Sequence, residues 1–310
     1  MRVAILGPAG FGGSHVSLEL LKKGHEVTGI SRSPEKLGAH ERYKPISIDL
    51  QVASIAQLVD AFRGHHAIVN AYNPPAGPNL YRSFLETVRK IIIAVKAAQI
   101  PYLVVIGGTG SLELGPTHPY QTVADSREMW LAYRRAVADS EAATAHMEER
   151  IGAGNPMSAA MRSYRNARIT LREGKQLSDA EQKTIKQTED PILTSANWIP
   201  DLPIAARATI LMYEGNTSFR WSFVSPSSKY RPGPRTGRYE VVRDIVPLAP
   251  ESARDPTSDN AYDGRLLGIS AADLALAIAD EVEKQEKVGW HWTAVAELPD
   301  DEPVTAYATI

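Results

Sequence analysis

The residues best suited to chemistry stand near the start of the chain. Gly7-Pro8-Ala9-Gly10-Phe11-Gly12-Gly13 reads G-x-x-G-x-x-G. Glycines at that spacing let a turn tighten and let backbone approach a pyrophosphate. A helix beginning there would add unpaired N–H groups and a positive dipole end. The flanks fit: Val3-Ala4-Ile5-Leu6 reads as a buried strand, and Ser14 to Lys23 as a helix stopped by Gly24. Gly7, Ala9, Gly10, Phe11 and Gly12 are therefore the expected contacts of a bound dinucleotide. The alternative is a tight strand–helix turn without a ligand.

The end of the second strand, Glu26 to Ile30, bears on which dinucleotide. An NAD site places an acidic residue there for the ribose 2′-hydroxyl. This chain has Ser31-Arg32-Ser33, with Lys36 close by. Arginine binds phosphate through two parallel N–H groups, so Arg32 suits a 2′-phosphate and the expected cofactor is NADP(H). Otherwise Arg32 is a solvated loop residue. Asp49-Leu50, after a third strand, belong either at the adenine edge or in an ordinary turn.

Other chemistries find less support. The chain has no cysteine, which excludes a thiolate nucleophile, a disulfide framework and Cys-based metal sites. His65-His66 precede a strand, where adjacent side chains point apart, so no metal is expected. His118 is a candidate acid/base group near the expected pocket mouth, while His146 and His291 are isolated. With 34 Lys+Arg against 36 Asp+Glu the net charge is −2, which gives no basic field for nucleic acid or acidic lipid. Arg162, Arg165, Arg168, Arg172 and Lys175 do share one helical face. Asp139, Glu141, Glu148 and Glu149 precede them, so a helical hairpin joined by ion pairs is simpler than a nucleic-acid stripe. The longest aliphatic run, Ile91 to Val95, falls far short of the ~20 residues that span a bilayer. With the first strand at the very start, no leader is expected, and the reading is cytoplasmic.

These residues need a scaffold, and the patterning supplies one. Helix patterns at Ser54–Phe62 and Tyr81–Gln99 alternate with strand patterns at Ala67–Ala71 and Tyr102–Ile106. Pro74 and Pro75 mark a loop. The alternation predicts an α/β fold, a Rossmann-type doubly wound parallel sheet with right-handed crossovers. From about 117 to 200 only helix patterns remain: Ala124–Arg150, Met157–Glu173 and Ser178–Gln187, the last opened by a Ser178/Glu181 capping box. A helix at Ala205–Glu214, strands at Ser218–Ser225 and Tyr239–Val242, a helix at Ile269–Lys287 capped by Ser270, and a strand at Thr293–Ala296 follow. The acidic tail from Glu297 is expected to be loose. This makes one domain over 1–310, with a helical insertion at about 117–200 and a small C-terminal substrate-binding portion at about 217–296.

The opening fingerprint, Ser31-Arg32 and Ile106-Gly107-Gly108-Thr109-Gly110-Ser111-Leu112 together resemble the atypical short-chain dehydrogenase/reductases. The branch they are most similar to holds the biliverdin-IXβ/flavin reductases and the NAD(P)H-binding proteins related to the nitrogen-metabolite regulator. Trp221-Ser222-Phe223-Val224-Ser225-Pro226, Gly237-Arg238-Tyr239 and Ile269-Ser270-Ala271-Ala272-Asp273-Leu274-Ala275 follow in the same order. The likeness covers roughly 1–116 and 201–296. It implies that Ala71-Tyr72-Asn73 pass beneath the nicotinamide ribose and that Gly107-Gly108 border the nicotinamide. It also implies that Val224-Ser225-Pro226 line the carboxamide side and that Ser111 faces the substrate. The implied activity is NADPH-dependent reduction of a small organic substrate, by a chain for which a homodimer is left open. The sequence departs from the family in one respect: no tyrosine has lysine four residues on. Tyr120 is followed by Ala124, Tyr133 by Val137 and Tyr164 by Arg168. Ser111 and Tyr120 are the expected catalytic groups. An isomerase or cyclase of the same fold, or a dinucleotide-sensing regulator, are the rival readings.

Overall fold

The fold is organised by β1 (Arg2–Leu6), whose residues from Val3 onward are wholly buried because helices cover both faces of the sheet. The computed structural model describes residues 1–74, 77–116, 118–152, 154–300 and 306–310. Pro75 of the expected loop and Thr117, the first residue of the expected insertion, lie outside the described residues. After β1 come α1 (Phe11–Lys22), β2 (Glu26–Ser31), β3 (Tyr43–Ser47) and α2 (Ile55–Phe62). β4 (Ala67–Asn70), α3 (Leu80–Ala97) and β5 (Leu103–Ile106) complete the regular first part. The helical segment holds α4 (Arg127–Asp139), α5 (Glu141–Ile151), α6 (Pro156–Arg172), α7 (Asp179–Thr194) and α8 (Asp201–Ile210). β6 (Trp221–Val224), β7 (Lys229–Arg231), β8 (Glu240–Arg243), β9 (Gly268–Ser270), α9 (Ala271–Lys284) and β10 (His291–Val295) follow.

The main sheet has the order β3-β2-β1-β4-β5-β6-β10-β8. Its pairs are parallel except β10 with β8. The order reverses between β1 and β4, which opens a crevice at their C-terminal ends; ligands bind there in open parallel sheets. Val3, Ile5 and Val27 pack with α1 and α9 on one face, and Ala4, Leu6 and Ile68 with α2, α3 and α8 on the other. β7 and β9 form a separate parallel pair.

The insertion departs from its expected outline in two places. The pattern at 124–150 is broken at Ser140, which is extended (φ −98°, ψ 123°) and caps α5 by accepting the Ala143 N–H at 3.0 Å. A serine offers the backbone that alternative, and here it wins over continuous helix. α7 starts at the expected capping box but runs on to Thr194 with Pro191 inside it. The basic stripe is neutralised across helices. Arg162 reaches Glu141 and Glu148, Arg165 reaches Glu141, and Arg168 holds Asp139 at 2.9 Å. Arg135 ties α4 to Glu189 of α7 and, at 2.7 Å, to Asp263. Leu112, Met129 and Ala132 bury against Val246, Tyr262 and Leu266, which fastens the insertion to the C-terminal portion.

Of the tail expected to be loose, residues 301–305 lie outside the described residues, and the last five residues, 306–310, are docked. Ala306 is buried and its carbonyl meets His15 Nε2 at 3.0 Å. Ala308 N–H donates to Ser14 Oγ at 3.1 Å, and Ile310 N–H to the Leu37 carbonyl at 3.0 Å. The acidic composition hid the apolar Ala306, Tyr307 and Ile310, which dock beside α1.

Candidate functional site

No side chain caps α1 at its N-cap, Gly10, so the first-turn N–H groups are left for a ligand. Gly7 has φ +83° and its carbonyl accepts the Gly10 N–H at 3.2 Å. A Cβ at Gly13 would stand 2.0 Å from that carbonyl oxygen, whereas one at Gly10 would stand 3.3 Å away. Gly13 thus serves the turn itself, while Gly10 keeps its outer surface bare. Ala9 packs against the core behind the turn. The bare backbone and uncapped helix fit a pyrophosphate. Arg32 is exposed just after β2; its carbonyl accepts Ser47 Oγ at 3.1 Å, and its charge is felt at Tyr72, which lowers that phenol's pKa slightly against the effect of burial. Asp49 Oδ1 accepts the Gln51 N–H at 2.9 Å and Leu50 is buried, so this pair forms a turn.

A cavity of about 510 Å³ opens in front of the glycine turn. Gly10, Phe11 and Gly12 border it, with Ala71, Tyr72 and Asn73 after β4, Gly107 and Gly108 after β5, and Pro226 after β6. Four strand–helix or strand–loop junctions therefore meet at one place, as the parallel sheet requires. Gly107 is flush on the Phe223 ring, since a Cβ there would stand 2.1 Å from it. Phe84 and Val88 of α3 and Leu202 and Ala206 of α8 make one wall apolar. Met129, Trp130 and Tyr133 of α4 make the opposite wall, so the insertion builds part of the site. No aspartate or glutamate lines the cavity among the described residues.

Several expected residues lie elsewhere. Val224 and Ser225 are wholly buried behind the cavity, where Ser225 Oγ and His291 Nε2 lie 2.9 Å apart. Ser111 is buried in the short helical turn Thr109–Ser111 and is not part of the lining; its hydroxyl finds no partner. Tyr120 is 93% exposed with φ +65°, so its ring stands on the surface and not over the cavity. His118 is exposed as well and outside the lining. The phenols that do line the cavity are Tyr72, Tyr133, Tyr230 and Tyr307. Burial raises the pKa of Tyr72, whose hydroxyl accepts from Gln51 Nε2 at 3.0 Å, and also that of Tyr230. Tyr133 was legible as an apolar-face position of α4 beside Met129.

Phe11 joins the turn to the insertion. Its ring lies 4.2 Å from His146 of α5 and 5.0 Å from Tyr230. Neither His146 ring nitrogen has a hydrogen-bond partner, and burial, with the charge of Arg150 beside it, lowers its pKa to about 4. Burial lowers His291 to about 4 also. Both rings are neutral near pH 7.

Comparison with known proteins bears on the fold and the cofactor. Residues 7–150 match the family model described as NAD(P)H-binding, which supports NADP(H) as the cofactor. The chain is 23% identical over 298 residues to the uncharacterized protein YwnB of Bacillus subtilis, covering 96% of this chain and 99% of that one. It is 30% identical over 133 residues to cinnamoyl-CoA reductase 1 of Oryza sativa subsp. japonica, covering 40% of this chain and 39% of the other. Among solved structures it resembles the oxidoreductase ylbE of Lactococcus lactis, at 14% identity and TM-score 0.54, with 97% of this chain and 93% of that one covered. A candidate NADH-flavin reductase from Streptococcus pneumoniae matches at 18% identity and TM-score 0.57, covering 96% and 100%. The likeness to solved structures is one of fold. The chain therefore has a Rossmann-type fold whose residues 7–150 match an NAD(P)H-binding model. No described helix is long and apolar enough to cross a membrane.

Proposed function

We propose that this chain is an NADPH-dependent reductase of a small organic acceptor: a carbonyl, a conjugated alkene or a flavin-like ring. One observation carries the reading. The glycine turn that fits a pyrophosphate opens onto an apolar cavity bordered by the ends of β4, β5 and β6. Gly107 and Gly108 are the residues that would border the nicotinamide of a dinucleotide held along that edge. When bound, NADPH supplies a hydride from its nicotinamide C4.

The chain's own residues hold and shield. The Gly10–Gly12 backbone binds the pyrophosphate, Arg32 the 2′-phosphate, and Ala71-Tyr72-Asn73 with Pro226 the nicotinamide half. Tyr133 donates a hydrogen bond from its phenol to the acceptor atom that gathers charge. Tyr133 has Val137, not a lysine, four residues on, so it serves as a hydrogen-bond donor, which suits acceptors whose reduced form takes its proton from water. Trp130, Met129 and the α3 and α8 walls exclude bulk water. The names of the cinnamoyl-CoA reductase and flavin-reductase relatives favour a conjugated or flavin acceptor.

The test is loss of NADPH absorbance with a panel of aldehydes, ketones, enones and free flavins, repeated with NADH. Turnover with at least one acceptor, faster with NADPH, supports the reading. Tight NADPH binding with no consumption across the panel turns it into a nucleotide sensor.

A further inference from the structure

One end of the cavity does not share its apolar character, and this bears on the substrate if the cavity is a reductase site. Arg150, the last-turn arginine of α5, is the one charged side chain in the lining among the described residues. It is exposed and has no ion pair among the described residues; the nearby Glu148 carboxylate is held by Arg162 at 2.9 Å. Ser228, Tyr230 and Tyr133 border the same end, and the Ser228 hydroxyl is buried without a partner. A small recess behind it, of about 50 Å³, is lined by Arg150, Ser228 and Tyr230 and adds Lys229. Lys229 is half-buried in β7, and burial together with the neighbouring Arg231 lowers its pKa. Arg231 also lines the recess but is held by the Pro299 carbonyl at 2.9 Å and by Asp300. That leaves Arg150 and Lys229, a hydroxyl and two phenols gathered at this end, with no carboxylate in the cavity lining. Such an end offers an anion a solvated guanidinium with hydroxyl donors around it.

We propose that the substrate is an amphiphilic organic acid, its carboxylate received by Arg150 and its apolar body held between Trp130, Phe84 and Leu202. Arginine offers a planar fork that matches a carboxylate, and hydroxyl donors complete the shell. Arg150 determines specificity: it selects the substrate and does not touch the reacting atoms. It comes from the insertion, so the insertion brings its own recognition element to the shared fold.

The pyrophosphate of the cofactor is the other anion within the same groove, and the experiment separates the two. Calorimetry on the full chain measures NADP⁺ binding first. With NADP⁺ saturating, it then measures 2-naphthoate against its neutral isostere 2-naphthamide, in the parent, Arg150→Met and Arg150→Lys. The expected result is a preference of about tenfold or more for the carboxylate in the parent. Arg150→Met should abolish that preference, Arg150→Lys should keep part of it, and NADP⁺ affinity should stay within about twofold throughout. Equal affinities for acid and amide in the parent overturn the proposal. So does an Arg150→Met protein that keeps the preference but loses NADP⁺ affinity, because Arg150 then serves the cofactor. Absence of NADP⁺ binding to the parent itself would instead remove the reductase reading beneath it.

Discussion

Replacing Gly10 by valine separates the folding of the glycine turn from its use. Gly10 has φ −76° and ψ 168°, extended backbone that any residue adopts, so Gly10→Val introduces no strain of its own. The added Cβ would stand 3.3 Å from the Gly7 carbonyl oxygen, tight enough to require only a small local shift. Fixing a glycine lowers the freedom of the unfolded chain, which offsets that contact, and the net stability change should stay below about 1 kcal/mol. The γ-methyl groups, in contrast, cover the uncapped N–H end of α1. A phosphate oxygen accepting a backbone N–H forms a charge-assisted hydrogen bond worth about 1.5–3 kcal/mol. Losing two of them costs about 3–6 kcal/mol, a weakening of roughly a hundredfold to ten-thousandfold. Gly13→Ala is the contrast, because its Cβ would stand 2.0 Å from the same carbonyl and the turn itself must open. Calorimetric titration with NADPH and thermal melts followed by circular dichroism measure both quantities. Gly10→Val should melt like the parent and bind weakly, whereas Gly13→Ala should lose both. A Gly10→Val protein with a native melt and NADPH affinity within about tenfold of the parent would refute the placement of the pyrophosphate.

Three further outcomes follow from the same geometry. Arg32→Ala should cost NADPH about 1.5–3 kcal/mol and leave NADH nearly unchanged; equal losses by calorimetry would remove Arg32 from the 2′-phosphate. Tyr133→Phe should lower kcat by about tenfold or more while Ser111→Ala lowers it less than about twofold, and the reverse order would return Ser111 to the chemistry. His146 and His291 are both held at about 4 against an ordinary 6.5, so the unfolded chain takes protons that the folded chain refuses. Stability is therefore full above about pH 6.5 and falls as pH drops toward about 4, by up to about 3 kcal/mol per histidine. Denaturant titrations at several pH values check this, and a flat profile down to pH 4.5 would contradict the burial of both rings.

The parts of the fold that were legible in the sequence are those where local pattern and tertiary need coincide. Buried parallel strands such as Leu103–Ile106 read as unbroken apolar runs, and the turn at Gly7–Gly13 announces itself because only glycine satisfies the close approach at Gly13. The arginine stripe was legible for the same reason, since helical spacing and nearby acids fix its pairing. β7 and β9, of three residues each, are too short to show a period. The docking of residues 306–310 was not legible, because a few apolar residues decide it against an acidic average. The cofactor side of the site was legible because it sits on strand ends, which topology fixes. Its far wall was not. Which face of α4 turns inward, and therefore that Tyr133 and not Tyr120 reaches the cavity, depends on how the insertion packs against Val246, Tyr262 and Leu266. Arg150 and Ser228 meet across about 78 residues of sequence for the same reason, and no local pattern records it.

Hydride transfer is tested most directly by following the hydrogen itself. The protein is incubated with NADPH carrying deuterium at one face of nicotinamide C4, then at the other, together with the acceptor it consumes fastest. Mass spectrometry of the product reads the label. A reductase holding its nicotinamide against Gly107 and Gly108 should place one deuterium on the product from one face only. NADPH that binds tightly but leaves every acceptor unlabelled from either face would show that this cavity does not reduce its ligand.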